Sequence, residues 1–167
     1  LPELSDVRVR GFAGRRVKPK TPMTVEHLLT HTSGMTYGFF GVAPVDLLYM
    51  KDHPLFKSNN QEMVAKMGTL PLVSHPGTTW RYSMSTDVLG ALVERVSGQT
   101  LGEFFRSRMF EPMGMVDTGF VVPPSKVERF ASSYGLGLKL KEGYADSEFL
   151  DANRLQSGGG GLVSTAS

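Results

Sequence analysis

Apolar residues recur at helical spacing most clearly in "MSTDVLGALVERVSG" (84–98), where Met84, Val88, Leu89, Leu92, Val93 and Val96 repeat three or four residues apart. The pattern predicts a helix, with Asp87 near its positive end and Gly98 closing it. "QTLGEFFRSRMF" (99–110) predicts the next helix. Thr100 and Glu103 have capping-box spacing, Leu101, Phe104, Phe105 and Met109 form the apolar face, and "EPMGM" ends it. Upstream, "MTVEHLLTHTSG" (23–34) carries Thr24 as N-cap, Met23 and Leu28 as a staple, and Gly34 as the left-handed terminator. Short helices are predicted at 45–51 and 60–67.

Between these, polar and turn-forming residues take over. Residues 1–22 alternate Val and Arg around Gly and Pro and read as an extended, hairpin-like segment. "MTYGFFGVAP" (35–44) reads as a Gly- and aromatic-rich loop, and Pro76-Gly77 as a tight turn. The last fifty residues read as short extended pieces, "TGFVV" and "YGLGLKL", around a turn at "SKVERFA". Close backbone packing against another element explains the glycine run 158–161 better than a nucleotide loop does. The expected fold is mainly α with short extended segments, in a single domain over 1–167.

The composition is that of an ordinary globular chain: 167 residues, 40% hydrophobic and 20% charged. No apolar run is long enough for a membrane span. "LPELSDVRVR" lacks the pattern of a signal peptide. Cysteine is absent, which excludes disulfides and thiolate sites and leaves the compartment, cytoplasmic or periplasmic, undecided. The net charge of +2 gives no reason to expect nucleic acid. The basic cluster Arg8, Arg10, Arg15, Arg16, Lys18 and Lys20 lacks interleaved aromatics and reads as a solvated loop.

Candidate chemistry is sparse. Ser-x-x-Lys, Gly-x-Ser-x-Gly, Lys-Thr-Gly and a phosphate loop are all missing. His27 and His31 have the four-residue spacing of a zinc pair on one helix, but Leu28 replaces the Glu of His-Glu-x-x-His. Two histidines serving helix and loop hydrogen bonds is the reading taken, so no metal and no cofactor are expected. "WRYSMSTD" (80–87) places Tyr82 in a loop at the mouth of the strongest helix. Ser83 and Ser85 have no His or Lys base at a telling spacing and read as helix caps. Trp80, Arg81, Phe39, Phe40 and Tyr37 suit an acyl-binding wall or ordinary loop packing; the sequence leaves both open.

"TVEHLLTHTSGM", "HPGTTWRYSMSTDVLGALVERVSGQTLGEFFRSRMFEPMGMVDTGF" and "SGGGGLVSTAS" resemble consecutive blocks of the serine β-lactamase-like family. That family includes class C β-lactamases, D,D-peptidases and family VIII carboxylesterases. The resemblance runs from "LPEL" to the end and implies the helical part of the α+β β-lactamase/D,D-peptidase-like fold. It implies a segment that begins after the family's Ser-x-x-Lys and stops before its Lys/His-x-Gly strand. Of the three catalytic elements, only the Tyr motif is then expected here. Tyr82 matches the tyrosine of Tyr-x-Asn, which in the family resembles a general base or proton relay for the nucleophilic serine. Poising a phenol of ordinary pKa near neutrality takes about 4 kcal/mol of preferential phenolate stabilisation, which nearby cations supply.

One departure bears on substrate. Met84 stands where lactam- and peptide-cleaving members carry Asn. A thioether lacks the donor and acceptor of an amide and suits apolar acyl or alkyl groups. The pattern is most like the family VIII esterases and implies a small-molecule ester substrate ahead of a β-lactam or peptide. Tyr82 is thus the expected catalytic residue, with Met84, Trp80, Phe39 and Tyr37 expected to touch substrate. A catalytically silent interaction module is the competing class. Self-association, or docking with a segment that carries the missing motifs, is the expected partnership.

Overall fold

The computed structural model describes residues 1–166. The chain divides into two compact units. The first comprises Leu1–Leu101 with Leu155–Gly160; the second comprises Gly102–Arg154 with the segment from Gly161 on. Because the chain re-enters the first unit at Leu155, no single linker marks the division in the sequence.

The first unit opens with a hairpin of two-residue strands, β1 (Val9–Arg10) and β2 (Arg16–Val17), paired antiparallel as the Val/Arg alternation predicts. The segment also binds Leu72: Arg10 N–H donates to the Leu72 carbonyl at 2.9 Å, and Leu72 N–H to the Arg8 carbonyl at 2.7 Å. Four helices follow: α1 (Val25–Leu29), α2 (Pro44–Lys51), α3 (Asn60–Thr69) and α4 (Ser85–Ser97). Both α1 and α3 pack on α4. Helix α4 forms as predicted, but only part of its expected apolar face is covered: Val88 is buried, Leu89, Leu92 and Val93 are half-buried and Val96 is exposed, while Ala91 is buried in addition. Gly98 takes the left-handed conformation, φ 71°, that closes the helix. The core gathers Val7, Val9, Leu28, Met35, Tyr49, Met63, Val64, Met67, Leu72, Met84 and Val88. Full burial of such an aliphatic side chain is worth about 1.5–3 kcal/mol relative to exposure.

Helix α1 is shorter than predicted. Thr24 caps it as expected: its hydroxyl accepts from His27 N–H, and His27 Nδ1 accepts from Thr24 N–H. The helix ends at Leu29, however, and His31 is the left-handed residue that follows it, at φ 54°; Gly34 is left-handed as predicted, at φ 83°, but lies beyond the helix end. His27 and His31 therefore do not share a helix. Among the described residues, no group of three His, Cys, Asp or Glu is disposed to hold a metal ion.

The second unit has little regular structure. The predicted helix at 99–110 is α-helical only over α5 (Leu101–Phe105), then loosens into a π-helical turn, Arg106–Phe110. Beyond it lie a 3-10 helix, Pro124–Arg129, and a ribbon of β3 (Ser133–Tyr134) with β4 (Leu140–Glu142). An antiparallel bridge joins Gly119 and Val163. Phe110, Phe120 and Val122 are its buried apolar residues.

Candidate active site

The loop before α4 is fixed at each end of Tyr82. Arg81 N–H donates to the His31 carbonyl at 2.8 Å. Nη2 of Arg81 lies 3.1 Å from both oxygens of Asp46, whose side chain is fully buried. Asp46 also accepts from Thr36 Oγ1 at 2.7 Å and from Ala43 N–H at 3.0 Å. The last contact caps α2 from within its own first turn. One carboxylate thus ties the aromatic loop, the start of α2 and the residue before Tyr82 together. A buried charge is tolerable only when satisfied this fully.

On the other side of Tyr82, Ser83 and Ser85 are fully buried. Their hydroxyls lie 2.8 Å apart, and Ser85 Oγ is 2.7 Å from Ser33 Oγ. His31 Nδ1 reaches Ser83 Oγ at 3.4 Å. These serines therefore do not cap α4, which has no side-chain cap. They join the loop to the Ser33 segment, and none of the three faces an open site.

Tyr82 itself is 46% exposed, and its hydroxyl has no hydrogen-bond partner among the described residues. Its ring packs against His31 at 5.1 Å, Tyr37 at 5.2 Å and Phe40 at 5.8 Å between centroids. Tyr37 in turn stacks on Phe39 at 5.2 Å, and Trp80 meets the outer edge of His31 at 6.3 Å. The structure thus brings Tyr82, Trp80, Phe39, Phe40 and Tyr37 together, from two loops far apart in sequence.

Tyr37 and Tyr82 differ in kind. Tyr37 is buried, and its hydroxyl donates to Asp87 Oδ2 at 3.0 Å. Burial first, and the Asp87 charge second, push its phenol far above the ordinary tyrosine range. Tyr37 stays protonated and supports the cluster from beneath, so its predicted contact with substrate gives way to a structural role. The Arg81 guanidinium is committed to Asp46.

Met84 requires a correction. Its side chain is fully buried in the core, one turn before Val88 on the same helix face. It touches no surface that a substrate could reach. The position two residues after Tyr82 presents no polar group outward and no apolar one either.

Asp87 anchors the glycine run. Oδ1 accepts from Ser157 Oγ and, at 3.3 Å, from Gly159 N–H. A Cβ on Gly158 would lie 2.2 Å from the Thr86 carbonyl oxygen and 2.9 Å from Gly90 N. The close approach predicted for this run is therefore present at Gly158, against α4, and absent at Gly160. Sequence reasoning missed Asp46, Asp87 and His31 as organisers of the site. The available signal was an Asp in the first turn of each of two amphipathic helices.

The Beta-lactamase family model matches residues 9–167. Esterase EstB of Burkholderia gladioli is 35% identical over 165 residues, covering 86% of this chain and 42% of its own length. Among solved structures, EstCE1, a hydrolase with promiscuous acyltransferase activity, superposes with TM-score 0.74 at 29% identity, covering 99% of this chain and 46% of its own. The LovD6 mutant of simvastatin synthase from Aspergillus terreus gives TM-score 0.74 at 30% identity, covering 99% and 40%. The chain spans less than half the length of each of these relatives. A half-exposed tyrosine at the mouth of α4, within a fold shared with esterases and acyltransferases, accords with the match over 9–167, and the chain belongs to the Beta-lactamase family.

Proposed function

We propose that this chain supplies the tyrosine side of the active site in a serine carboxylesterase that cleaves simple esters through an acyl-enzyme. The observation that carries the reading is Tyr82: a half-exposed residue whose hydroxyl has no protein partner among the described residues, held in place at both neighbouring residues. In this reading the nucleophilic serine and its lysine come from sequence outside these residues. The Tyr82 oxygen takes the serine proton as the serine Oγ attacks the ester carbonyl. It returns that proton to the departing alcohol, and water then releases the acyl group. The two buried carboxylates fix where the phenol stands; neither reaches it.

The preference for esters does not rest on Met84 touching substrate. It rests on the absence of any amide offered at that position, on the apolar rings around Tyr82, and on the likeness to esterases. Transfer of the acyl group to an alcohol in place of water is a second outcome of the same intermediate. The promiscuous acyltransferase activity of EstCE1, and the likeness to simvastatin synthase, favour keeping it in view.

Fluorophosphonate labelling tests the division of labour. The chain alone should remain unlabelled, and label should appear at serine only when a segment carrying Ser-x-x-Lys is added. Labelling of the chain by itself would refute the claim that the nucleophile lies elsewhere. In the full-length enzyme, Tyr82→Phe should lower kcat on p-nitrophenyl butyrate by about 10²–10⁴. A loss of less than about threefold would exclude Tyr82 as the proton carrier. Faster turnover of a cephalosporin than of the butyrate would sink the ester preference.

A further inference from the structure

The rings do not stop at Tyr82. Phe40 is 68% exposed, Trp80 67% and Phe39 51%, and beyond Phe39 the series continues through His53 to Phe56, which is 85% exposed. Neighbouring centroids along the series lie 4.6–6.3 Å apart. An exposed aromatic run of this kind calls for a ligand or partner.

Its inner members are locked. The Tyr37 hydroxyl is held by Asp87. His53 Nε2 is bonded to the Tyr37 carbonyl at 2.8 Å, and its Nδ1 accepts from Leu55 N–H at 3.2 Å. The outer rings therefore stand on a fixed base, which lowers the ordering cost of binding. They are also tilted against one another, Phe39 to Phe40 by 62° and Phe40 to Tyr82 by 51°. Tilted rings leave edges and faces open to a further flat ring in the offset or edge-to-face arrangements that aromatic pairs prefer.

The charge around the run is cancelled. Arg81, beside Tyr82, is paired with buried Asp46. Lys57, beside Phe56, lies 2.7 Å from Asp52. Neither cation is free to hold an anion.

We infer that the exposed rings of Trp80, Tyr82, Phe40, Phe39 and Phe56 form the binding surface for an uncharged aryl group carried by the ester substrate. The inference rests on the esterase reading and deepens it by naming a substrate class. An aryl group gains from the tilted rings what a flexible alkyl chain of equal area does not, and the alkyl chain gives up more rotational freedom to lie there.

Trp80 is the only tryptophan and stands in the run, so its fluorescence reports occupancy. The full-length enzyme, with its nucleophilic serine replaced and Trp80 kept as sole tryptophan, is titrated with methyl 4-phenylbutanoate, with methyl octanoate, and with the 4-phenylbutanoate anion. The phenyl ester should bind about three- to tenfold more tightly than the octanoate ester, and the anion more weakly than either. Phe40→Ala and Phe56→Ala, both at exposed positions, should each weaken the phenyl ester about three- to tenfold while leaving the circular dichroism spectrum unchanged. Equal binding of octanoate, or unchanged affinity in both variants, would overturn the inference. So would a Trp80 signal that follows protein concentration in light scattering instead of ligand, since the run would then be a contact between copies.

The two readings fail separately. If the phenyl ester does not bind but Tyr82→Phe abolishes ester turnover in the full-length enzyme, the aryl surface falls and the esterase stands. If it binds to wild type and to Tyr82→Phe alike, while Tyr82→Phe turns over normally, the surface stands and the role of Tyr82 falls.

Discussion

Asp46 and Asp87 of the first unit and Asp117 of the second stand in contrasting surroundings. In the first, Asp46 and Asp87 are fully buried and take hydrogen bonds from residues three to seventy-two positions away. In the second, Asp117 meets Lys126 Nζ at 2.6 Å and Arg129 Nη2 at 2.8 Å, both partners drawn from the neighbouring 3-10 turn. A buried carboxylate that loses a partner leaves a charge stranded in a poor medium, so its geometry is strictly held. A surface carboxylate exchanges its partner for water at small cost. The half that presents Tyr82 is built in the first way. The half that exposes Leu136, Leu138 and Leu140 is built in the second.

The contrast can be broken most directly at Asp46. Asp46→Ala strands Arg81 and releases Thr36 and the start of α2. It should lower stability by about 3–5 kcal/mol, read as a fall in the urea midpoint. Asp117→Ala should move the midpoint by only a small fraction of that. Equal shifts would erase the distinction.

A finer test uses two glycines of the same run. Gly158→Ala drives a methyl against the Thr86 carbonyl oxygen and should cost about 1–3 kcal/mol. Gly160→Ala meets nothing within 4 Å and should stay within about 0.5 kcal/mol of wild type. Thermal unfolding of the pair separates them.

The smallest effect concerns acid. Arg129 and Lys126 hold the Asp117 carboxyl down at about 2. Because the folded value lies below the unfolded one of about 3.9, the contribution to stability is complete above roughly pH 4 and is lost as pH falls towards 2. Asp117→Asn should flatten that part of the stability profile at low salt, and about 1 M salt should shrink the difference between variant and wild type. An unchanged acid limb would show that the ion pairs do not order this unit.

What the sequence disclosed follows the range of the interactions. Helix α4, its Gly98 terminator, the first hairpin and the Thr24 cap all depend on neighbours a few residues away, and each is legible. Tyr82 is found by motif, not by physics. The loosening of α5 at Arg106 is not visible, because Arg106–Phe110 continue an ordinary helical pattern; the early end of α1 at Leu29 is open to reading in the weak helix formers Thr30, Thr32 and Ser33 that follow it. Met84 misleads for a definable reason. The resemblance sets it where other members carry the Asn of Tyr-x-Asn, and so among the expected substrate contacts. The chain instead bends into α4 at Met84, φ −64° and ψ 15°, and the thioether turns inward. The ties of Asp46 and Asp87 span loops that only the folded chain closes.

His31 leaves a last consequence. A side chain larger than glycine occupies a backbone region that disfavours it, while its carbonyl, ring nitrogen and ring face each engage the Trp80–Ser83 stretch. Glycine there would relax the main chain and abandon the ring's grips; a β-branched residue would fail on both counts. Variation at this corner is therefore confined from two directions, and a designer wishing to reposition the phenol has to rebuild the corner together with it.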